Sequence, residues 1–203
     1  MVDVSDVCKL TRVLNKLIGS GEFANVYLGK KRDGKSIAVK TFKKTKDPKK
    51  NKLALDSFKK EIKMSLIICG NSCSNPFVSK TLGFCDKKGA TLQFINNTNN
   101  KTINGPFLFN EYYNGGNLRE ITYRLTPDKF REMINNIGKG LKYIHNKGCV
   151  HNDLACRNIF LQNGIPKIGD FGLMSKVDQP FLETKIPSYQ MAPEFYFTRK
   201  KNK

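Results

Sequence analysis

The hydrophobic pattern of this chain changes period once, at the short connector "NGG", Asn114–Gly116. Before it, "LNKLIGSGEFANVYLGK" alternates apolar and polar residues on either side of a Gly-containing turn, the mark of a β-hairpin. "KSIAVKTFK", "FVSKTLGFC", "ATLQFI" and "PFLFNEYY" read as further strands, and "NNTNNKTING" as a polar loop. One helix interrupts them: "ALDSFKKEIKMSLII" sets Leu55, Phe58, Ile62 and Leu66 near helical spacing, with Asp56 as its N-cap. After the connector, "TPDKFREMINNIGKGLKYIHNKG" repeats apolar residues at Phe130, Met133, Ile134, Ile137, Leu141 and Ile144. Thr126 caps that helix, Pro127 opens it and Gly148 stops it. A strand-rich half joined to a helical half by a short Gly-containing link predicts an α+β chain in two lobes, without repeats.

The 203 residues suffice for one such two-lobed domain with a core of its own. No apolar run approaches the roughly 18 residues that cross a bilayer, and "MVDVSDVCKL" has no apolar region behind a basic start, so the expected location is cytoplasmic. Six cysteines without a C-x-x-C pair, and only two histidines, argue against zinc and for free thiols. Much of the net charge of +19 clusters in "KTFKKTKDPKKNK", residues 40–52, which holds seven lysines and one aspartate. It reads as a solvated basic loop open to contact with an anionic surface. Phe42 is the only aromatic among those lysines, which weighs against a platform for stacking nucleic-acid bases.

Chemistry-bearing residues fall at intervals along this frame. In "GSGEFANV", Gly19 and Gly21 would let a hairpin backbone lie against phosphates, but Ala24 stands at the third glycine position, and taken alone the stretch reads better as an ordinary hairpin. The motif lies between strands and opens no helix, unlike a dinucleotide fold or a P-loop. "AVK" ends at Lys40, which could reach phosphates if a carboxylate held it, and Glu61 in the following helix is the natural partner. "CVHNDLACRNIF" then sets His151, Asp153 and Asn158 at fixed offsets. "IGDFGLM" carries Asp170, and "MAPE" spans Met191–Glu194. Five elements in this order are far more specific than any one of them.

In these motifs the chain resembles the protein kinase family, from Leu17 to Glu194. The resemblance implies a bilobal protein-kinase-like fold: an N-terminal extension over 1–12, a β-rich N-lobe with hinge over 13–113, and a mainly helical, incomplete C-lobe over 114–203. It implies ATP as phosphate donor, Mg2+ (with Mn2+ as an alternative) and a protein substrate. Lys40 and Glu61 would be the ion pair, Asp153 the catalytic base, and Asn158 and Asp170 the metal ligands. The hinge backbone at Glu111 and Tyr113 would bind adenine, with Ile18, Val26, Ala38 and Phe160 sandwiching the base. Phosphoryl transfer is mostly positioning and charge neutralisation, which these residue types supply.

The family's two acceptor classes differ beside the catalytic Asp. Ala155 stands where Ser/Thr kinases commonly carry Lys, and the cation comes later, at Arg157, as in tyrosine kinases. Pro187 occupies the place of the tyrosine-kinase substrate shelf, whereas Tyr189 and Gln190 depart from the pattern, and tyrosine-kinase-like Ser/Thr kinases share "DLA-x-RN". Asn152 replaces the Arg that couples this loop to a phosphorylated segment, and no tyrosine lies between Phe171 and Ile186, where only Ser175 and Thr184 could accept phosphate. The expectation is activity independent of tyrosine phosphorylation there. Polar Ser65, Thr81 and Asn110 stand at usually apolar inner positions and could form a small network. Only "FYFTRKKNK" follows "MAPE", which leaves Glu194 without its customary partner and Phe195, Tyr196 and Phe197 in need of cover. The competing expectations are a pseudokinase-like module that binds nucleotide or protein partners with little transfer, and last a basic nucleic-acid binder.

Overall fold

The computed structural model describes residues 12–21, 24–70, 73–86, 89–94, 102–121 and 125–179. "MAPE", Pro187, Tyr189, Gln190, Thr184, the aromatic run Phe195–Phe197 and all but the last residue of the expected N-terminal extension lie outside them. The upper lobe is a five-stranded antiparallel sheet ordered β1-β2-β3-β7-β4. Its strands are β1 (Arg12–Ser20), β2 (Ala24–Lys30), β3 (Ser36–Phe42), β4 (Thr81–Cys85) and β7 (Phe107–Glu111). Strand alternation decides what each face does. Ile37, Val39, Phe107 and Phe109 point to one side and form a core with Val13, Cys85, Leu92 and Phe94. Ala38, Lys40, Leu108 and Asn110 have the opposite parity, with Lys40 paired to Leu108 and Ala38 to Asn110.

That second face is covered in part by α1 (Pro48–Cys69), whose Phe58 and Ile62 pack on Leu108. The helix begins more than two turns before Asp56. Asp47 is the cap, its side chain accepting from the backbone N–H of Lys49 (2.9 Å) and Lys50 (3.4 Å), with Pro48 next. This is the cap–proline signal also present at Thr126–Pro127, obscured here by the lysines around it. The basic stretch 40–52 is therefore the end of β3, a short link and the first turn of α1 rather than one loop. The buried stripe of α1 runs through Ala54, Phe58, Glu61, Ile62, Ser65 and Ile68, while Leu55 is half-buried and Leu66 exposed. Part of the expected polar loop is also a strand: β6 (Thr102–Asn104) pairs with β5 (Thr91–Gln93).

The lower lobe is built on α3 (Pro127–Asn146), preceded by the short α2 (Leu118–Ile121). Thr126 Oγ1 accepts from the Lys129 N–H at 3.4 Å, and the chain reverses at Gly148 (φ 67°), as the residues predict. The inner seam of α3 is Met133, Ile137, Gly140 and Ile144; Phe130 and Ile134, assigned to the core by periodicity alone, are exposed. Against this seam lie two short antiparallel pairs, β9 (Ile159–Gln162) with β10 (Ile165–Ile168), and β8 (Cys149–Val150) with β11 (Ser175–Lys176). Their core, with Ile68, Val78, Ile168, Phe171 and Met174, reaches up to the end of α1 and ties the lobes together. No helix among the described residues is long and apolar enough to cross a membrane.

The seam depends on one missing Cβ. A side chain at Gly140 would meet the Phe77 carbonyl oxygen at 2.9 Å and Ile168 Cδ1 at 3.0 Å, whereas Gly138 on the same helix meets nothing within 4 Å. Alanine favours a helix over glycine by about 1 kcal/mol at either position. Gly138→Ala should raise stability by roughly that amount. Gly140→Ala should lower it by about 1–3 kcal/mol, because backbone must move. Urea or thermal unfolding of both variants checks this, and equal shifts would contradict the close approach.

Candidate active site

A cleft of about 1190 Å³ opens between the sheet and the lower lobe. Every residue singled out above for catalysis, nucleotide or metal lines it: Ile18, Gly19, Gly21, Val26, Ala38, Lys40, Glu61, Glu111, Tyr113, Asp153, Arg157, Asn158, Phe160 and Asp170. Gly19 and Gly21 keep negative φ and are not crowded; the Gly21 N–H donates to the Ala24 carbonyl at 2.9 Å, closing the hairpin over the cleft. What they provide is a bare backbone edge.

Lys40 lies at the centre. Its Nζ donates to Glu61 Oε1 at 2.6 Å and to Asp170 Oδ1 at 3.1 Å, so β3, α1 and the segment after β10 meet on one ammonium. Burial alone would push the Lys40 ammonium down, but Glu61 and then Asp170 outweigh it and hold it well above its ordinary value. Lys40 is therefore charged at any physiological pH. Burial raises the Glu61 carboxyl, with the neighbouring Asp170 charge adding to it, while the Lys40 charge holds Asp170 below the usual carboxylate range. Asp170 takes a left-handed backbone (φ 60°, ψ 77°) that turns its carboxylate into the cleft while Phe171 enters the lower core.

The lower wall is the loop after β8. His151 is buried, its Nε2–H donating to the Gly169 carbonyl at 3.0 Å and its Nδ1 accepting from the Asp153 N–H at 3.3 Å. Burial lowers the basicity of this imidazole, so it works as a neutral brace between Asp153 and the residue preceding Asp170. Asp153 Oδ1 accepts from Arg157 Nη2 at 2.5 Å. Its Oδ2 and its carbonyl each accept from Asn158 Nδ2 at 2.8 Å. With its nitrogen committed twice, Asn158 has its amide oxygen left for a cation. Among the described residues no three His, Cys, Asp or Glu side chains form a metal cage. One carboxylate and one amide oxygen suit instead a hard cation that keeps phosphate oxygens among its ligands.

Asn152 has partners that explain its place in the loop. In a left-handed conformation (φ 62°), its Nδ2 donates to the Leu173 carbonyl at 3.1 Å and to Ser175 Oγ at 2.9 Å. It thus fastens the chain just beyond Asp170 through neutral bonds. Of the inner polar residues, Thr81 Oγ1 donates to Asn110 Oδ1 at 3.0 Å, and buried Ser65 lines the same cleft from α1.

The end of the cleft beside Glu111 and Tyr113 shows what the motifs did not. Tyr113 contributes its ring, stacked on Phe160 at 6.2 Å, and its hydroxyl accepts from the Lys80 N–H at 2.8 Å. Phe160 lies so close to Gly169 that a Cβ there would meet it at 2.8 Å, which explains that glycine. Asn117 and Glu120, which in the sequence look like mere connector, also line the cleft; Asn117 Nδ2 donates to Glu120 Oε1 at 2.5 Å, and its buried Oδ1 has no partner. Their signal was a polar pair one helical turn apart directly after the "NGG" turn.

The protein kinase domain family matches residues 12–203. Mitogen-activated protein kinase kinase kinase 1a of Physcomitrium patens is 28% identical over 184 residues, covering 88% of this chain and 22% of that protein. Tyrosine-protein kinase Fer of Homo sapiens is 27% identical over 191 residues, covering 90% and 20%. Kinase suppressor of Ras 2 of Homo sapiens is 28% identical over 170 residues, covering 80% and 15%. The chain thus spans about a fifth of the length of the curated relatives it matches. With the family match running from the first described strand onward, this chain belongs to the protein kinase domain family.

Proposed function

We propose that the chain transfers the γ-phosphate of ATP to protein hydroxyl groups in an Mg2+-dependent reaction, with tyrosine as the favoured acceptor. The observation that carries this is the single cleft in which Lys40 bridges Glu61 and Asp170 while Arg157 and Asn158 hold Asp153. Adenine would lie between Ile18, Val26 and Ala38 above and Phe160 below, with the hinge at Glu111 and Tyr113 along its edge. Lys40 would hold the α- and β-phosphates. Asp170 and the Asn158 amide oxygen would hold Mg2+ or Mn2+, which when bound offsets the charge of the phosphates. Asp153 orients the acceptor hydroxyl and takes its proton.

The tyrosine preference rests on Arg157. With Ala155 offering no cation, Arg157 is the cation in contact with the base, two residues beyond Ala155 and suited to a longer acceptor. The relatives' names include both tyrosine and serine/threonine kinases and favour neither. The five described cysteines are free, which suits a cytoplasmic setting. None of Lys43, Lys44, Lys46, Lys49, Lys50 and Lys52 is in a salt bridge among the described residues, so this surface is open to an anionic partner.

Incubation with labelled ATP, Mg2+ and a mixed Tyr/Ser/Thr polypeptide should give transfer, dominated by phosphotyrosine on hydrolysis. Asp153→Asn and Lys40→Met should each lower the rate by at least about 100-fold, the scale of lost general-base and electrostatic assistance. Predominant phosphoserine or phosphothreonine would reverse the acceptor assignment. Nucleotide binding without transfer above Asp153→Asn would leave the pseudokinase-like module as the better reading.

The Asn152 bonds generate a second expectation. Phosphatase treatment should leave the rate unchanged, since the fastening to Leu173 and Ser175 needs no phosphate. Asn152→Ala should lower kcat by about tenfold, the cost of one to two neutral hydrogen bonds. A strict requirement for phosphate within residues 173–186, seen in phosphopeptide mapping of active and inactive fractions, would contradict it.

A further inference from the structure

Apart from the cleft, the upper lobe carries a second concavity for which the proposed reaction has no use. A groove of about 320 Å³ lies where β3 leaves the sheet, beside β6. Its lining is mainly apolar, with Tyr27, Phe42 and Ile103 among the contributors, and Lys43 and Lys44 belong to its wall. The volume falls at the lower end of the roughly 300–1,000 Å³ of ligand sites, which suits an inserted side chain better than a nucleotide. The lysines continue beyond the groove. Lys40 belongs to the cleft and the Asp47 carboxylate is committed to capping α1, which leaves Lys43, Lys44, Lys46, Lys49, Lys50 and Lys52. None of these is in a salt bridge among the described residues. Lys49 and Lys50 stand in the first turn of α1, which holds no acidic residue. Cations there oppose the helix dipole and repel one another, so the arrangement costs stability in the free chain. The link bearing Lys44 and Lys46 is nevertheless held in shape. Asn51 Oδ1 accepts from the Thr45 N–H at 2.7 Å, Asn51 Nδ2 donates to the Thr45 carbonyl at 2.8 Å, and Thr45 Oγ1 accepts from the Asp47 N–H at 3.3 Å. An ordered link has less entropy to lose when a ligand settles on it.

We propose that this groove and its lysines dock an acidic segment of a protein partner, an apolar side chain entering the groove and flanking carboxylates meeting Lys43 and Lys44. Three observations choose a peptide over other anions. Both aromatic rings are already engaged, Tyr27 edge-on with Phe94 at 5.7 Å and Phe42 against Phe58, Ile62 and Leu108, which weighs against a stacking platform for bases. The cations of the run are all lysines, compact point charges, whereas recognition of phosphates favours the planar fork of arginine. The apolar lining is recessed, whereas a face that binds a membrane inserts protruding apolar side chains.

The position also links the groove to the cleft. Asn25 lines the groove, and its Oδ1 accepts from Ser20 Oγ at 3.1 Å, on the hairpin that closes over the cleft. Phe42 follows Lys40 by two residues on β3. A docked segment thus touches both the hairpin and the strand of the central cation. Any effect on phosphate transfer rests on the function proposed above, whose anionic contact this inference gives a defined partner; the docking itself needs no transfer.

Fluorescence anisotropy on the full chain tests this, with a short labelled peptide of glutamates around a central phenylalanine as the probe. The peptide should bind, and more weakly as salt is raised. Serine in place of the phenylalanine should weaken binding about tenfold, the scale of one buried apolar side chain. Lys43→Glu together with Lys44→Glu should weaken it by at least about tenfold, and Lys44→Glu alone, at an exposed position, by part of that. Lys142→Glu, an equal charge reversal at an exposed position on α3, should change it less than about twofold, which separates local docking from the pull of the whole +19 charge. Equal binding of the serine peptide, or an equal loss with Lys142→Glu, would overturn the proposal. So would phosphatidylserine vesicles or a single-stranded oligonucleotide that bound through the same two lysines more tightly than the peptide. The assay contains no ATP, so a chain that transferred no phosphate would serve it equally well.

Discussion

One ammonium group organises this molecule. Lys40 reaches the cleft because strand parity turns it away from the upper core, and it remains there because two carboxylates from distant parts of the chain meet it. Glu61 is buried, so its charge is sustainable only with that cation beside it. Removing one member of such a buried pair typically costs on the order of 3–5 kcal/mol, since the other charge is left uncompensated. Asp170, by contrast, opens into the cleft and has an oxygen to spare. The same cation therefore serves as structural counter-charge to Glu61 and, in the proposed reaction, as the positive group for the nucleotide phosphates.

The lower wall follows a different rule. It is held by a neutral imidazole, an amide and a guanidinium, each committed to a specific atom of Asp153 or of the chain before Asp170. His151 can brace both because burial keeps it uncharged, so it adds no positive charge to compete with Lys40 for Asp170. The division is physical: Lys40 brings two carboxylates to one cation, whereas the lower wall adds neutral bonds from His151 and Asn158 to its one charged pair, Arg157 with Asp153.

How much of this was legible depends on how local the cause is. The cap and proline at Thr126–Pro127 and the alternation in β3 act within a few residues, and both could be read directly. Helix faces could not. Leu66, Phe130 and Ile134 have the right spacing for a core and are exposed, because the helices pack through narrower seams chosen by tertiary contacts such as Gly140 against Phe77. The start of α1 was missed although Asp47–Pro48 carries the same signal as Thr126–Pro127, since the surrounding lysines read as loop. Within the cleft, order and spacing brought together the charged residues but not Asn117 and Glu120, or the Tyr113–Phe160 stack. Those depend on where the connector runs in space.

The two non-glycine residues in left-handed backbone at the site, Asp170 and Asn152, are connected through the segment between Phe171 and Ser175. Such conformations cost of order 1–3 kcal/mol each, least for Asn and Asp, and persist only where the surroundings fix them. Asp170 is fixed from above by Lys40, and Asn152 from beyond by Leu173 and Ser175. Each therefore supports the other: the turn at Asp170 puts Leu173 within reach of Asn152, and the Asn152 bonds keep that turn from relaxing. A longer cation at position 152 would ask for an anion to meet it. A short amide already has its partners in the backbone and in Ser175, and that is the physical sense in which the site can stand assembled without a phosphate.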